Sequence, residues 1–170
     1  MQVSTTNFWV AAVILAQLYM VFFAYLAFSA KYLPDRVATK FGLQGRPRRY
    51  MPRTVYLFSM GIVGLVLPFS GLISWVVTKA QPRGINIPNR GYWFAPERIA
   101  ETQSYLLAHS LWFACFCVAF MVGVHFLIVR ANKQNPPKLS MPLLFLFLGT
   151  FLAAVLLWSV APSWHFKTAA

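Results

Sequence analysis

Side chains able to do acid–base, nucleophilic or metal chemistry are scarce in this chain of 170 residues: three histidines, two cysteines and three carboxylates. His109 and His125 lie on one apolar stretch, and as a helix that stretch separates them by about 24 Å along the axis and about 160° around it. They cannot share one metal ion or one haem, and the third histidine, His165, sits in the C-terminal tail. An interfacial or hydrogen-bonded histidine is the expected state of each. Cys115 and Cys117 are two apart, about 200° around a helix, so they neither bridge each other nor chelate together. No metal and no cofactor is expected.

Catalytic constellations are equally thin. Ser59, Ser70, Ser74, Ser110 and Ser159 stand in apolar stretches without an aspartate in reach, since Asp35 is the sole aspartate. Glu97 and Glu101 are one helical turn apart beside Arg98, which suits a local ion-pair and helix-dipole arrangement. Glycosidase chemistry needs its two carboxyl groups across a cleft. There is no glycine-rich phosphate loop, and no strand is expected. No catalytic residue is assigned, and the chain is not expected to be an enzyme.

The elements that must carry these residues are membrane helices. Four windows, Phe8 to Ser29, Val55 to Val77, Tyr105 to Val129 and Pro142 to Ala161, contain no Lys, Arg, Asp or Glu. At about 1.5 Å per residue each crosses a hydrocarbon core of about 30 Å, and lipid offers the backbone no partners, so each should be helical. With 59% hydrophobic residues and a mean hydropathy of +0.60, a chain this short cannot hide its apolar surface in a soluble core. The expected fold is all-α, an integral membrane four-helix bundle with two basic, turn-rich interhelical loops, forming a single domain over residues 1–170. The first window is read as a retained helix: Met1 to Asn7 holds no Lys or Arg, and the apolar run exceeds a signal-peptide core.

Fifteen Lys and Arg against three acids give +12, confined to the connections. Anionic lipid headgroups are therefore the expected counter-charge, and nucleic acid is not an expected partner. Ala30 to Thr54 carries Lys31, Arg36, Lys40, Arg46, Arg48, Arg49 and Arg53 among turn formers, and should fold back on itself at the membrane surface. Thr78 to Ser104 ends in Ala95-Pro96-Glu97-Arg98, a helix start. Arg130 to Ser140 is short, so the third and fourth helices should form a tight antiparallel hairpin. The first and third connections outweigh the second in bases, which places them inside and both termini outside. Phe8, Trp9, Tyr32, Tyr56, Trp75, Tyr92, Trp93, Tyr105, Trp164 and Phe166 fall near span ends, as interfacial rings do.

Packing positions follow from small residues at helical spacing: Gly61, Gly64, Pro68 and Gly71 in the second span, Cys115, Ala119 and Gly123 in the third, Gly149 and Ala153 in the fourth. The second helix is expected to be well buried and bent at Pro68, which lacks an N–H and crowds the carbonyl of Gly64.

Leu33-Pro34-Asp35-Arg36-Val37-Ala38-Thr39-Lys40-Phe41-Gly42 followed by Gly45-Arg46-Pro47, the run Ile87 to Arg98, and Arg130-Ala131-Asn132 resemble the bacterial membrane family of domain of unknown function 1648, found at the amino end of SdpI-like toxin-immunity and signalling proteins. Lys40 stands where that family has histidine, and the further spans of the immunity proteins are absent from this sequence. The resemblance implies a multi-pass protein of a bacterial cytoplasmic membrane that binds a protein or peptide partner. By analogy it also puts the first loop outside, against the charge count, which is retained. Candidate partner-binding residues are Asp35, Arg36, Lys40, Arg46, Tyr92, Trp93, Glu97, Arg98 and Glu101, polar or aromatic groups set between turn formers in both long loops. The alternatives are an accessory subunit of a larger membrane complex and a small-molecule permease, for which Gln17 and scattered serines would have to line the path.

Overall fold

The computed structural model describes residues 2–69, 73, 76 and 88–167. Helix α1 runs Gln2–Ser29 and ends in a 3-10 turn, Ala30–Tyr32. Strands β1 (Arg36–Phe41) and β2 (Pro47–Pro52) follow, then α2 (Arg53–Val66). The short helix α3 (Arg90–Trp93) leads into α4 (Ile99–Asn132) and α5 (Met141–Lys167). The chain is a largely helical membrane protein: α1, α4 and α5 are each long and apolar enough to cross a bilayer.

The second span differs from a continuous helix over 55–77. At 14 residues, α2 is about 21 Å long, short of a hydrocarbon core. It stops at Val66 because Pro68 has no N–H to give the carbonyl of Gly64; the last donor is Leu67, whose N–H reaches the Val63 carbonyl at 2.9 Å. Beyond the turn at Leu67 and Pro68, where the sequence predicts a bend, Phe69, Ile73 and Val76 are helical; Ser70, Gly71, Ser74 and Trp75, and the start of the second connection, including Lys79 and Arg83, lie outside the described residues.

The expectation that no strand forms is overturned in the first connection. Arg36 pairs with Pro52, Val37 with Met51 and Ala38 with Tyr50 in an antiparallel ladder, with an irregularity at Thr39. Turn formers at Gly42 and Gly45 fold the segment back, and the β-branched Val37 and Thr39 with Tyr50 suit a pleated surface better than a third coil turn.

The centre of the bundle is α4, not the second helix. Ala108, Leu111, Cys115, Val118, Met121 and His125 recur at three- and four-residue steps and are buried, mostly against α1, where Ala11, Phe22, Leu26 and Ser29 form the facing stripe. The Cys115 thiol lies 3.6 Å from the Ala11 carbonyl, and both cysteines are free and buried. Helix α2 buries only Tyr56 and Gly64, and its Phe58, Ile62 and Val66 face outward. Gly64 lets it approach α1: a Cβ there would overlap the ring of Phe22. Pro68 is buried, and Gly61 comes only to within ordinary contact of Phe23.

Helices α4 and α5 pair antiparallel. Phe120 stacks on Phe147 and Phe151, while Trp158 stacks on His109 and Phe113 and donates its indole N–H to the His109 carbonyl at 3.2 Å. Phe147 fills the space beside Gly123. Ala119, Gly149 and Ala153, by contrast, are exposed, and among the described residues they bring no pair of helices together.

Candidate functional site

The first connection is held to the end of α4 by apolar packing of Leu33 and Val37 with Val129 and by the side chain of Asn132. The Asn132 carboxamide accepts the N–H of Ala38 at 2.8 Å and donates to the Ala38 carbonyl at 3.0 Å. It thereby offers β1 what a neighbouring strand's peptide would offer, and it caps its own helix by also donating to the Ile128 carbonyl at 2.9 Å. Asn132 and Ala38 are both buried, so these bonds satisfy backbone groups that water does not reach.

The tip is held separately. Gly45 adopts φ 73°, the left-handed region that suits glycine, and its carbonyl accepts the N–H of Leu139 at 2.9 Å. A Cβ at Gly45 would collide with the Leu139 carbonyl. The hairpin therefore lies across the helix ends, with its tip against the link between α4 and α5. At its base Arg53 closes the loop: its guanidinium donates to the Leu33 carbonyl at 3.1 Å and lies 3.3 Å from the Asp35 carboxylate, while its N–H reaches the Asp35 carbonyl. The surface presented outward is basic. Arg36, Lys40, Arg46, Arg48 and Arg49 are exposed, and Leu43 projects from the tip with 86% of its area exposed.

Directly beneath lies a polar cluster inside the bundle. His125 is fully buried, with Nε2 2.7 Å from the Ser29 hydroxyl and Nδ1 2.8 Å from the Tyr56 hydroxyl. Ser29 donates its one hydroxyl proton to the Leu26 carbonyl at 3.0 Å, so towards His125 it accepts. This assigns the proton to Nε2, and Nδ1 then accepts the Tyr56 proton. The chain of donors runs Tyr56 to His125 to Ser29 to Leu26 and closes with a neutral imidazole. Tyr25 adds an edge-on ring at 5.0 Å. One histidine thus ties α1, α2 and α4 together under the hairpin. With the polar atoms of Ser29, Tyr56 and His125 satisfied, the arrangement fixes the three helices relative to one another.

Residues 9–65 match the family model described as Domain of unknown function (DUF1648). No curated protein and no solved structure matches the chain. The matched segment contains most of α1, the hairpin and nearly all of α2, hence Ser29, Tyr56 and the whole basic loop. Its two anchors, His125 and Asn132, come from α4, outside the matched residues. The matched segment is therefore docked on a helix supplied by the remainder of the chain.

The partner-binding candidates fall into two groups at opposite ends of α4. Asp35, Arg36, Lys40 and Arg46 gather on the hairpin. Tyr92, Trp93, Glu97, Arg98 and Glu101 lie at the start of α4, whose 34 residues extend about 51 Å. Trp93 is not available as a surface: it is buried, donates its indole N–H to the Phe166 carbonyl at 3.1 Å and accepts from Thr102 through its carbonyl at 2.8 Å. Arg98 covers the ring of Tyr92 at 3.7 Å, and Glu97 and Glu101 are exposed. At that end His165 stacks on Tyr105 with ring centroids 3.9 Å apart. Among the described residues no three of His, Cys, Asp and Glu are placed to hold a metal.

Sequence reasoning missed Ser29, Tyr56, His125 and Asn132 as a set. A signal was present: each is a polar group at the end of its span, and alternate spans run in opposite directions, so all four come to one face of the membrane.

Proposed function

We propose that this is a non-enzymatic multi-pass protein of a bacterial cytoplasmic membrane that presents a clamped basic hairpin to an acidic protein or peptide partner, in the manner of the immunity and signalling proteins its first loop resembles. The observation that carries the reading is the double anchoring of the hairpin by Asn132 and Leu139 while Lys40, Arg46 and Arg48 stay exposed around Leu43. A loop fixed before binding loses little conformational entropy when a partner arrives, and its cations steer an acidic one. Loop charge favours the cytoplasmic face for this surface.

Against the permease alternative, Gln17, the polar side chain that would have to line the path, is exposed on α1. The accessory-subunit alternative draws support from Ala119, Gly149 and Ala153, small residues left on outward helix faces.

A photo-crosslinking amino acid at Leu43, activated in native membranes, should give one adduct of discrete mass. That adduct should disappear when Lys40, Arg46 and Arg48 are changed together to Gln. No adduct, or one indifferent to the charge change, would contradict the reading.

A further inference from the structure

Two cations line the groove between α1 and α4, and a third stands nearby at the end of α1. Arg130 and Lys133 are three apart near the end of α4, hence on one face, and both line the groove with Tyr25, Phe126 and Val129. Lys31 stands nearby at the end of α1: its ammonium sits over the Phe28 ring at 3.9 Å and lies 4.9 Å from the ring centre of Tyr32, a ring that the Lys133 ammonium also approaches, at 4.8 Å.

This charge has no internal match. The sequence holds three acids. Asp35 is engaged with Arg53, and Glu97 and Glu101 stand at the far end of α4, with Glu101 about 43 Å from Arg130 along the helix. Below the cations the lining turns apolar: half-buried Tyr25, outward-facing Phe126 and buried Val129 continue towards the membrane interior. A cationic rim at the helix ends over an apolar wall complements a molecule with an anionic head and a hydrocarbon tail, standing parallel to the helices.

We propose that this groove is a discrete site for one anionic phospholipid of the surrounding bilayer, its phosphate between Arg130, Lys133 and Lys31 and one acyl chain against Tyr25 and Phe126. The site is independent of any partner at the hairpin, because it sits on the flank of the bundle. Basic residues near a bilayer attract anionic lipid by roughly a factor of five each; convergence of three, with a wall for the chain, makes the contact specific to a place.

The test is native mass spectrometry of the full detergent-purified chain, with phosphatidylglycerol and phosphatidylcholine of identical acyl chains. The expected result is a retained single phosphatidylglycerol adduct, with phosphatidylcholine held much more weakly. Arg130→Gln with Lys133→Gln should weaken retention by about 30-fold. Arg49→Gln with Lys138→Gln, an equal loss of charge at the same end of the molecule, should leave it unchanged. Phe126→Ser, which keeps all three cations, should also weaken it. The proposal is overturned if the two lipids are held equally, if both charge pairs weaken retention alike, or if glycerol phosphate without acyl chains displaces the lipid. Unchanged helical circular dichroism confirms that each exposed-residue variant is folded.

Discussion

His125 is the residue on which the interior of this bundle turns. A histidine within a membrane span is costly unless satisfied, and here both nitrogens are used, one by Tyr56 and one by Ser29. His125→Phe keeps an aromatic ring but orphans the buried Tyr56 hydroxyl and leaves the Ser29 hydroxyl with only its bond to the Leu26 carbonyl. Because hydrogen bonds within membranes contribute less than their isolated strength suggests, the variant should be less stable by about 1–3 kcal/mol. Tyr56→Phe, which leaves only Nδ1 unpaired, should cost less. Reversible unfolding in mixed micelles measures both, and nitrogen-15 spectra of labelled histidine should place the proton on Nε2. A proton on Nδ1, or a His125→Phe protein as stable as the parent, would contradict the donor order. The sequence marked His125 only as a polar group near a helix end. Its partners are 69 and 96 residues away in the chain, and spacing along one helix carries no information about them.

Among the elements, the long helices were legible because charge-free windows of bilayer length leave the backbone little choice. The hairpin was legible as a fold-back, through Gly42 and Gly45, but not as strands: β1 and β2 are short and basic, and what stabilises them is Asn132, a single residue from another span. The second helix was misjudged for a related reason. Glycine spacing reports where a backbone is able to come close: Gly64 meets the ring of Phe22 and Gly123 that of Phe147, whereas Gly149 and Ala153 have similar spacing and remain exposed. The contact at Gly64 is testable as a cycle. Gly64→Val should destabilise the protein by about 1–3 kcal/mol through overlap with Phe22. Combined with Phe22→Ala, its cost should fall by about 0.5–3 kcal/mol relative to the sum of the two single changes. Additive effects would mean that the two side chains do not meet.

Taken as a whole, the molecule has two unlike ends joined by α4. One end is aromatic, where Trp93, Tyr105, His165 and Phe166 pack on one another. The other is basic and bears the hairpin. The family match covers the part that presents this surface, and the remainder of the chain supplies the helix that fixes it. A purpose for such an arrangement requires the hairpin to be a rigid fixture of the membrane bundle, not a loop free on its surface. Hydrogen–deuterium exchange on the purified protein and on Asn132→Ala measures this directly. The Ala38 amide should be protected in the parent and should exchange roughly tenfold faster or more in Asn132→Ala, while α1 and α4 stay protected in both. If the Ala38 amide in the parent exchanges as fast as that of an unstructured loop, the hairpin is not clamped and the account is wrong.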